Sequence, residues 1–163
     1  MKNLEPGIEI ISEKKLVGKH MRVTLSDNKI FELWRSFMPR RKEIKNIKSP
    51  DLFSIRINDK GFEIKSFTKD TEFERWAAIE VLNYDTIPED MEAFTLPGGL
   101  YAVFLHKGAA SSGPATFQYI FETWLPESVY IIDERPQFEV LGEKYKNEDP
   151  DSEEEIWIPI KHK

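Results

Sequence analysis

Hydrophobic residues along this chain recur at two spacings, and each change of spacing marks an element. Ile8 to Leu25 is rich in β-branched and apolar residues and predicts a strand, with Gly18 as a bulge. Ser26-Asp27-Asn28 reads as a helix cap, and Ile30, Phe31, Leu33, Trp34, Phe37 and Met38 then form one helical stripe that stops near Pro39. Leu52 to Asn58 alternates as a strand, Asp59-Lys60-Gly61 is a turn, and Phe62 to Phe67 predicts the hairpin partner. Thr71 to Val81 is a further strand. Past Met91 the order recurs: a strong strand from Leu100 to Lys107, a small-residue loop from Gly108 to Gly113, and Pro114 in the first turn of a helix. Phe117, Ile120, Phe121 and Trp124 follow the spacing of a buried helix face, and Pro126 ends it. Val129 to Asp133, Gln137 to Leu141 and Glu154 to Ile160 are the closing strands.

Laying Phe37-Met38-Pro39 on Trp124-Leu125-Pro126 puts Trp34 on Phe121 and Ile30 on Phe117. Few identities match, but strand, helix, strand, strand recurs in order. The expectation is a single α+β domain over residues 1–163. It is built as duplicated strand-helix-strand-strand repeats, about residues 8–84 and 91–161, related by a pseudo-twofold, with an antiparallel sheet and a central ligand cleft.

Strand period then sorts side chains by face. Ile156, Ile158 and Ile160 share one face, and Glu155, Trp157 and Pro159 the other. In the first half Ala77, Ile79 and Val81 oppose Trp76, Ala78 and Glu80. Each repeat thus places a tryptophan opposite its aliphatic stripe, and large apolar surface on such a face marks a candidate binding wall. The alternative is that a loop or the other repeat covers each ring. In the strand at 137–141, Glu139 shares a face with Gln137 and Leu141, away from Phe138 and Val140. Burial there raises a carboxyl pKa unless a cation or hydrogen-bond donors compensate, and the residues alone favour an ordinary exposed strand glutamate.

Composition narrows the function classes. The chain has 163 residues, 40% of them hydrophobic, and no cysteine, which excludes a disulfide framework and thiol chemistry. The longest apolar run, Leu100 to Leu105, is far too short for a transmembrane helix, and the N-terminus lacks a signal-peptide core. A cytoplasmic protein is expected. The formal net charge of −6 argues against direct nucleic-acid binding. The basic cluster Arg40, Arg41, Lys42, Lys45 and Lys48 reads as the solvated end of a helix. His20, His106 and His162 have no metal-ligand spacing, Ser111-Ser112-Gly113 is not a nucleophile elbow, and the glycine-rich loop lacks a Walker lysine. No catalytic residue, metal or cofactor is expected, and His106 reads as structural.

Gly99-Leu100-Tyr101-Ala102-Val103-Phe104-Leu105-His106-Lys107-Gly108, Trp124-Leu125-Pro126, Pro136-Gln137-Phe138-Glu139 and Ile156-Trp157-Ile158-Pro159-Ile160 occur in that order. Together they resemble the AraC-type effector-binding domain, the GyrI-like small-molecule-binding family. The resemblance implies a cleft for amphipathic, often cationic, aromatic compounds, with aromatic walls around an acidic residue. Glu139 matches the glutamate of the family's Phe-Glu-x-Tyr motif, and Leu141 replaces its aromatic. The implied ligand-binding set is Glu139, Trp157, Trp76, Leu141, Tyr101, Tyr119 and Trp124. With the repeats filling the chain, the resemblance is to standalone members that sense or sequester ligands in connection with transcription regulation. The implied partner is a small molecule, without a membrane, and with DNA gyrase or a DNA-binding regulator as the protein partner. The alternatives within the resemblance are a gyrase-inhibiting interaction protein and a hydrolase that uses the pocket glutamate.

Overall fold

The computed structural model describes residues 5–163. In chain order the strands are β1 (Gly7–Ile11), β2 (Lys14–Val23), β3 (Ile47–Asn58), β4 (Phe73–Val81), β5 (Glu92–Leu96), β6 (Gly99–Lys107), β7 (Tyr130–Ile132), β8 (Gln137–Leu141) and β9 (Glu153–His162). Helix α1 (Ile30–Phe37) lies between β2 and β3. Helix α2 (Gly113–Tyr119) follows β6 and runs through a wider turn at Ile120–Trp124 into a last turn, α3 (Leu125–Glu127). No helix among the described residues is long and apolar enough to cross a membrane.

All strand pairs are antiparallel, in the order β1-β6-β9-β8-β3-β4-β2-β5, with β7 added beside the end of β9. Exchanging β1 with β5, β2 with β6, β3 with β8 and β4 with β9 reverses this order onto itself. That is the expected duplication, with the pseudo-twofold between β3 and β8. It carries one feature that periodicity did not announce. The strand that leads into each repeat pairs with the other: β1 lies on β6, and β5 lies on β2.

This exchange curls the sheet. The link Ser12-Glu13 joins the first strand of the order to the seventh. Six strand spacings in a flat sheet would put these about 29 Å apart, whereas the link reaches only about 10 Å. The two ends of the sheet therefore meet. There the β5–β6 turn passes against the β1–β2 link so closely that a side chain on Gly98 would lie 2.5 Å from the Ile11 carbonyl oxygen. Inside the roll pack Leu16, Phe53, Ile55, Trp76, Ala78, Leu96, Tyr101 and Phe138. The helices lie outside. Leu33 and Phe37 of α1 cover Val17, Ala77, Ile79 and Val81, while Ile120 and Leu125 cover Ala102, Phe104, Ile156, Ile158 and Ile160.

Three local expectations need correction. Ile8 to Leu25 is two strands rather than one. Gly18 is no bulge, since it holds continuous register opposite Ala78 and Glu92. A glycine is required because a Cβ would collide with the Ala77 carbonyl oxygen and sit 2.7 Å from the Ala78 Cα. Phe62 to Phe67 is not a strand: after a turn with Gly61 at φ +82°, Phe62 and Phe67 fold over the Arg56 guanidinium instead of pairing. Helix α1 ends before Pro39, as expected, and a tighter turn carries the chain on to Glu43, because proline is tolerated in a first turn.

Candidate functional site

Each helix covers the outer strands of its own repeat, which leaves the outer face of the two central strands, β3 and β8, uncovered. A cavity of about 1010 Å³ occupies this gap. Ile30, Phe31, Trp34 and Met38 of the first helical segment form one wall, and Pro114, Phe117 and Phe121 of the second form the other. Phe62, Phe67 and Phe73 close a third side. Phe31 and Leu25, both largely exposed, extend the apolar surface to the mouth. Aromatic walls around a few polar groups are the usual make-up of a small-molecule site.

The floor is polar because strand alternation sends its apolar partners inward. Ser54, Arg56 and Asn58 of β3 face the cavity, while Phe53, Ile55 and Ile57 face the interior of the roll. On β8, Gln137, Glu139 and Leu141 face the cavity, and Phe138 and Val140 face inward. Register places Glu139 opposite Ser54, and Arg56 between Gln137 and Arg75. Arg75 reaches back along the floor, donating from Nη2 to Ser54 Oγ at 2.8 Å.

Glu139 and Glu154 both line the cavity floor, close enough for each carboxyl to shift the other. Burial raises the pKa of Glu139, against the pull of Arg75, Glu154 and His106. Glu154 is pushed up to about 8 by burial and then by the Glu139 charge and hydrogen bond, with Arg75 opposing. Both carboxyls are thus pushed toward their neutral forms by burial, and they titrate as a pair. Burial also moves the guanidinium groups: Arg75 is lowered, and Arg56 falls to about 10, with Arg75 as the second cause.

Of the residues nominated from sequence, the structure brings Glu139 and Leu141 to this cavity. Trp76 and Trp157 do lie opposite the aliphatic stripes, but that face is the inside of the roll. Trp76 is buried, stacked on His20 at 4.4 Å and packed on Phe94. Trp157 stacks on Phe138 at 5.3 Å, across the sheet from Glu139. Tyr101 is fully buried there too, donating its hydroxyl to the Pro136 carbonyl at 2.9 Å. Tyr119 and Trp124 pack in the core beneath α2, Trp124 edge-on to Phe104. His106 is buried and hydrogen-bonded to Thr116 at 2.8 Å. Arg40 of the basic cluster pairs with Glu43.

Sequence reading missed Arg56, Arg75, Ser54 and the wall aromatics Trp34, Phe117 and Phe121 as cavity residues. A signal was present: Arg75 interrupts the stripe Phe73, Ala77, Ile79, Val81, and Ser54-Arg56-Asn58 forms a wholly polar face opposite Phe53-Ile55-Ile57.

This architecture matches solved structures. One, bound to tetraphenylphosphonium, is SAV2435 (TM-score 0.73, 17% identity, 96% of this chain and 94% of that one). Another is EcmrR in a DNA complex (TM-score 0.73, 14% identity, 98% of this chain and 58% of that one). At these identities the likeness shows the fold. In sequence, the chain is 30% identical over 146 residues to the transcriptional regulator BrlR of Pseudomonas aeruginosa, covering 89% of this chain. It spans 51% of that regulator's length. The family model of the GyrI-like small molecule binding domain matches residues 4–161, and the chain belongs to that family.

Proposed function

We propose that the chain binds an amphipathic aromatic compound between α1 and α2, with a cationic centre of the ligand set against Glu139, and works as a ligand-sensing or sequestering module linked to transcription regulation. The observation that carries this reading is the cavity of about 1010 Å³ whose walls are aromatic and whose floor holds the Glu139–Glu154 pair. Trp34, Phe117 and Phe121 offer faces to a planar or delocalised cation, each worth roughly 0.5–2 kcal/mol according to desolvation. One carboxylate supplies charge complementarity without dictating ligand shape. The relationship to BrlR supports the link to regulation, and the phosphonium complex of SAV2435 supports the ligand class.

Titration calorimetry with tetraphenylphosphonium and the neutral triphenylphosphine oxide, on wild type and Glu139→Gln, tests the role of charge. The substitution is expected to weaken the phosphonium about tenfold, which is about 1.4 kcal/mol, and the oxide less than about twofold. Equal losses for both would remove Glu139 from ligand recognition.

A further inference from the structure

Of the other arginines, Arg22 pairs with Asp59 at 2.8 Å, Arg40 with Glu43 at 2.9 Å and Arg135 with Asp133 at 2.8 Å, while Arg35 and Arg41, without a carboxylate partner among the described residues, are exposed to solvent. The two in the cavity floor differ. Among the described residues, neither Arg56 nor Arg75 has a carboxylate within ion-pairing distance. They stand directly opposite each other across β3 and β4, an arrangement that costs energy in an antiparallel pair. Arg56 is held in place from behind. Its guanidinium carbon lies 4.0 Å from the Phe73 ring centroid and 4.8 Å from that of Phe67, and Nε donates to Asn58 Oδ1 at 3.0 Å. Its two Nη groups make no hydrogen bond among the described residues, although Arg56 lines the cavity.

A fixed, partly desolvated guanidinium with its terminal donors free is the geometry that takes a planar oxyanion in a two-point grip. The charges agree. The two guanidinium groups share the floor with Glu139 and Glu154, whose carboxyls burial pushes toward the neutral form.

We propose that Arg56, backed by Arg75, forms an oxyanion subsite in the cavity, and that the ligand is an aromatic amphiphile bearing a carboxylate or sulfonate at this end. The proposal rests on the cavity being the ligand site and adds a second charged pole to it. A zwitterion, with its cation at Glu139 and its acid at Arg56, satisfies both poles.

The test titrates 2-naphthalenesulfonate, its neutral analogue 2-naphthalenemethanol and tetraphenylphosphonium into wild type, Arg56→Gln and Arg56→Lys, with thermal melts confirming that each variant folds. Wild type is expected to bind the sulfonate at least tenfold more tightly than the alcohol. Arg56→Gln should erase that preference, and Arg56→Lys, which keeps the charge and loses the fork, should retain part of it. Phosphonium affinity should hold or rise in Arg56→Gln. A wild type that binds the alcohol and the phosphonium but does not prefer the sulfonate overturns the subsite and leaves the cavity reading intact. A preference that survives in Arg56→Gln also overturns it. Failure of all three probes to bind wild type overturns both.

Discussion

Replacing Glu154 by glutamine reports on the proton that Glu154 holds in the cavity floor. Burial, and then the charge and hydrogen bond of Glu139, raise the Glu154 carboxyl from 4.5 to about 8. A group whose folded-state pKa lies above its unfolded value holds its proton more tightly in the native protein. The stability so gained is complete below pH 4.5 and is lost as pH rises through about 8. At about 1.36 kcal/mol per decade, this displacement bounds the effect at roughly 5 kcal/mol. Solvent at the open cavity screens the group and its titration is coupled to that of Glu139, so a loss of roughly 2 kcal/mol between about pH 5 and pH 9 is expected. Glu154→Gln is neutral throughout and can still donate to Glu139, so it lacks this slope. Urea unfolding at fixed salt should find the two proteins within about 0.5 kcal/mol near pH 5 and the variant more stable by about 2 kcal/mol near pH 9. Subtracting one curve from the other cancels the ionisations that do not couple to this pair. A difference that stays flat across this range, or that turns in favour of wild type at high pH, refutes the raised Glu154 carboxyl.

Two further predictions concern the framework. Trp76→Ala should cost about 3–5 kcal/mol in urea unfolding, because the ring is buried inside the roll, while the folded variant keeps its tetraphenylphosphonium affinity within about twofold; a large affinity loss in folded protein would return Trp76 to the site. Gly18→Ala should destabilise by about 3 kcal/mol or more in the same measurement, since its Cβ meets backbone on β4 that cannot move without breaking the β2–β4 register; near-native stability would refute that close approach.

Much of the framework was legible because parity in a strand is local. Ile156, Ile158 and Ile160 had to share a face, and Glu139 had to share one with Gln137 and Leu141, whatever the chain did elsewhere. What covers a face is decided by residues far away in sequence. Trp76 and Trp157 were assigned to the correct side of their strands, yet that side is enclosed because β1 and β5 cross to the opposite repeats. No periodicity within Gly7–Ile11 reveals its pairing with β6. The hairpin expected at Phe62 to Phe67 failed for a related reason. Its alternation was real, but cation–π contact with Arg56 competes with strand pairing, and the arginine comes from a different element. Charged residues inside apolar stripes, as at Arg75, were the sequence signal closest to the site.

The rolled sheet also explains how a polar floor is compatible with a stable protein. A strand in a two-layer fold ordinarily depends on its helix-facing side for most of its apolar burial. Here β3 and β8 are anchored from the other side, by Phe53, Ile55 and Phe138 packed inside the roll with Tyr101, Trp76 and Leu16. The apolar clusters beneath the helices draw instead on β2 and β4 in one repeat and on β6 and β9 in the other. The outward positions of the central pair, Ser54, Arg56, Gln137 and Glu139, are therefore released from core packing at the one place where neither helix reaches. Unpaired arginines and a buried carboxyl pair are costly in any core, but at this seam they face a cavity that a ligand can fill. The strand exchange that hid the tryptophans is thus also what lets the seam between the repeats carry charge.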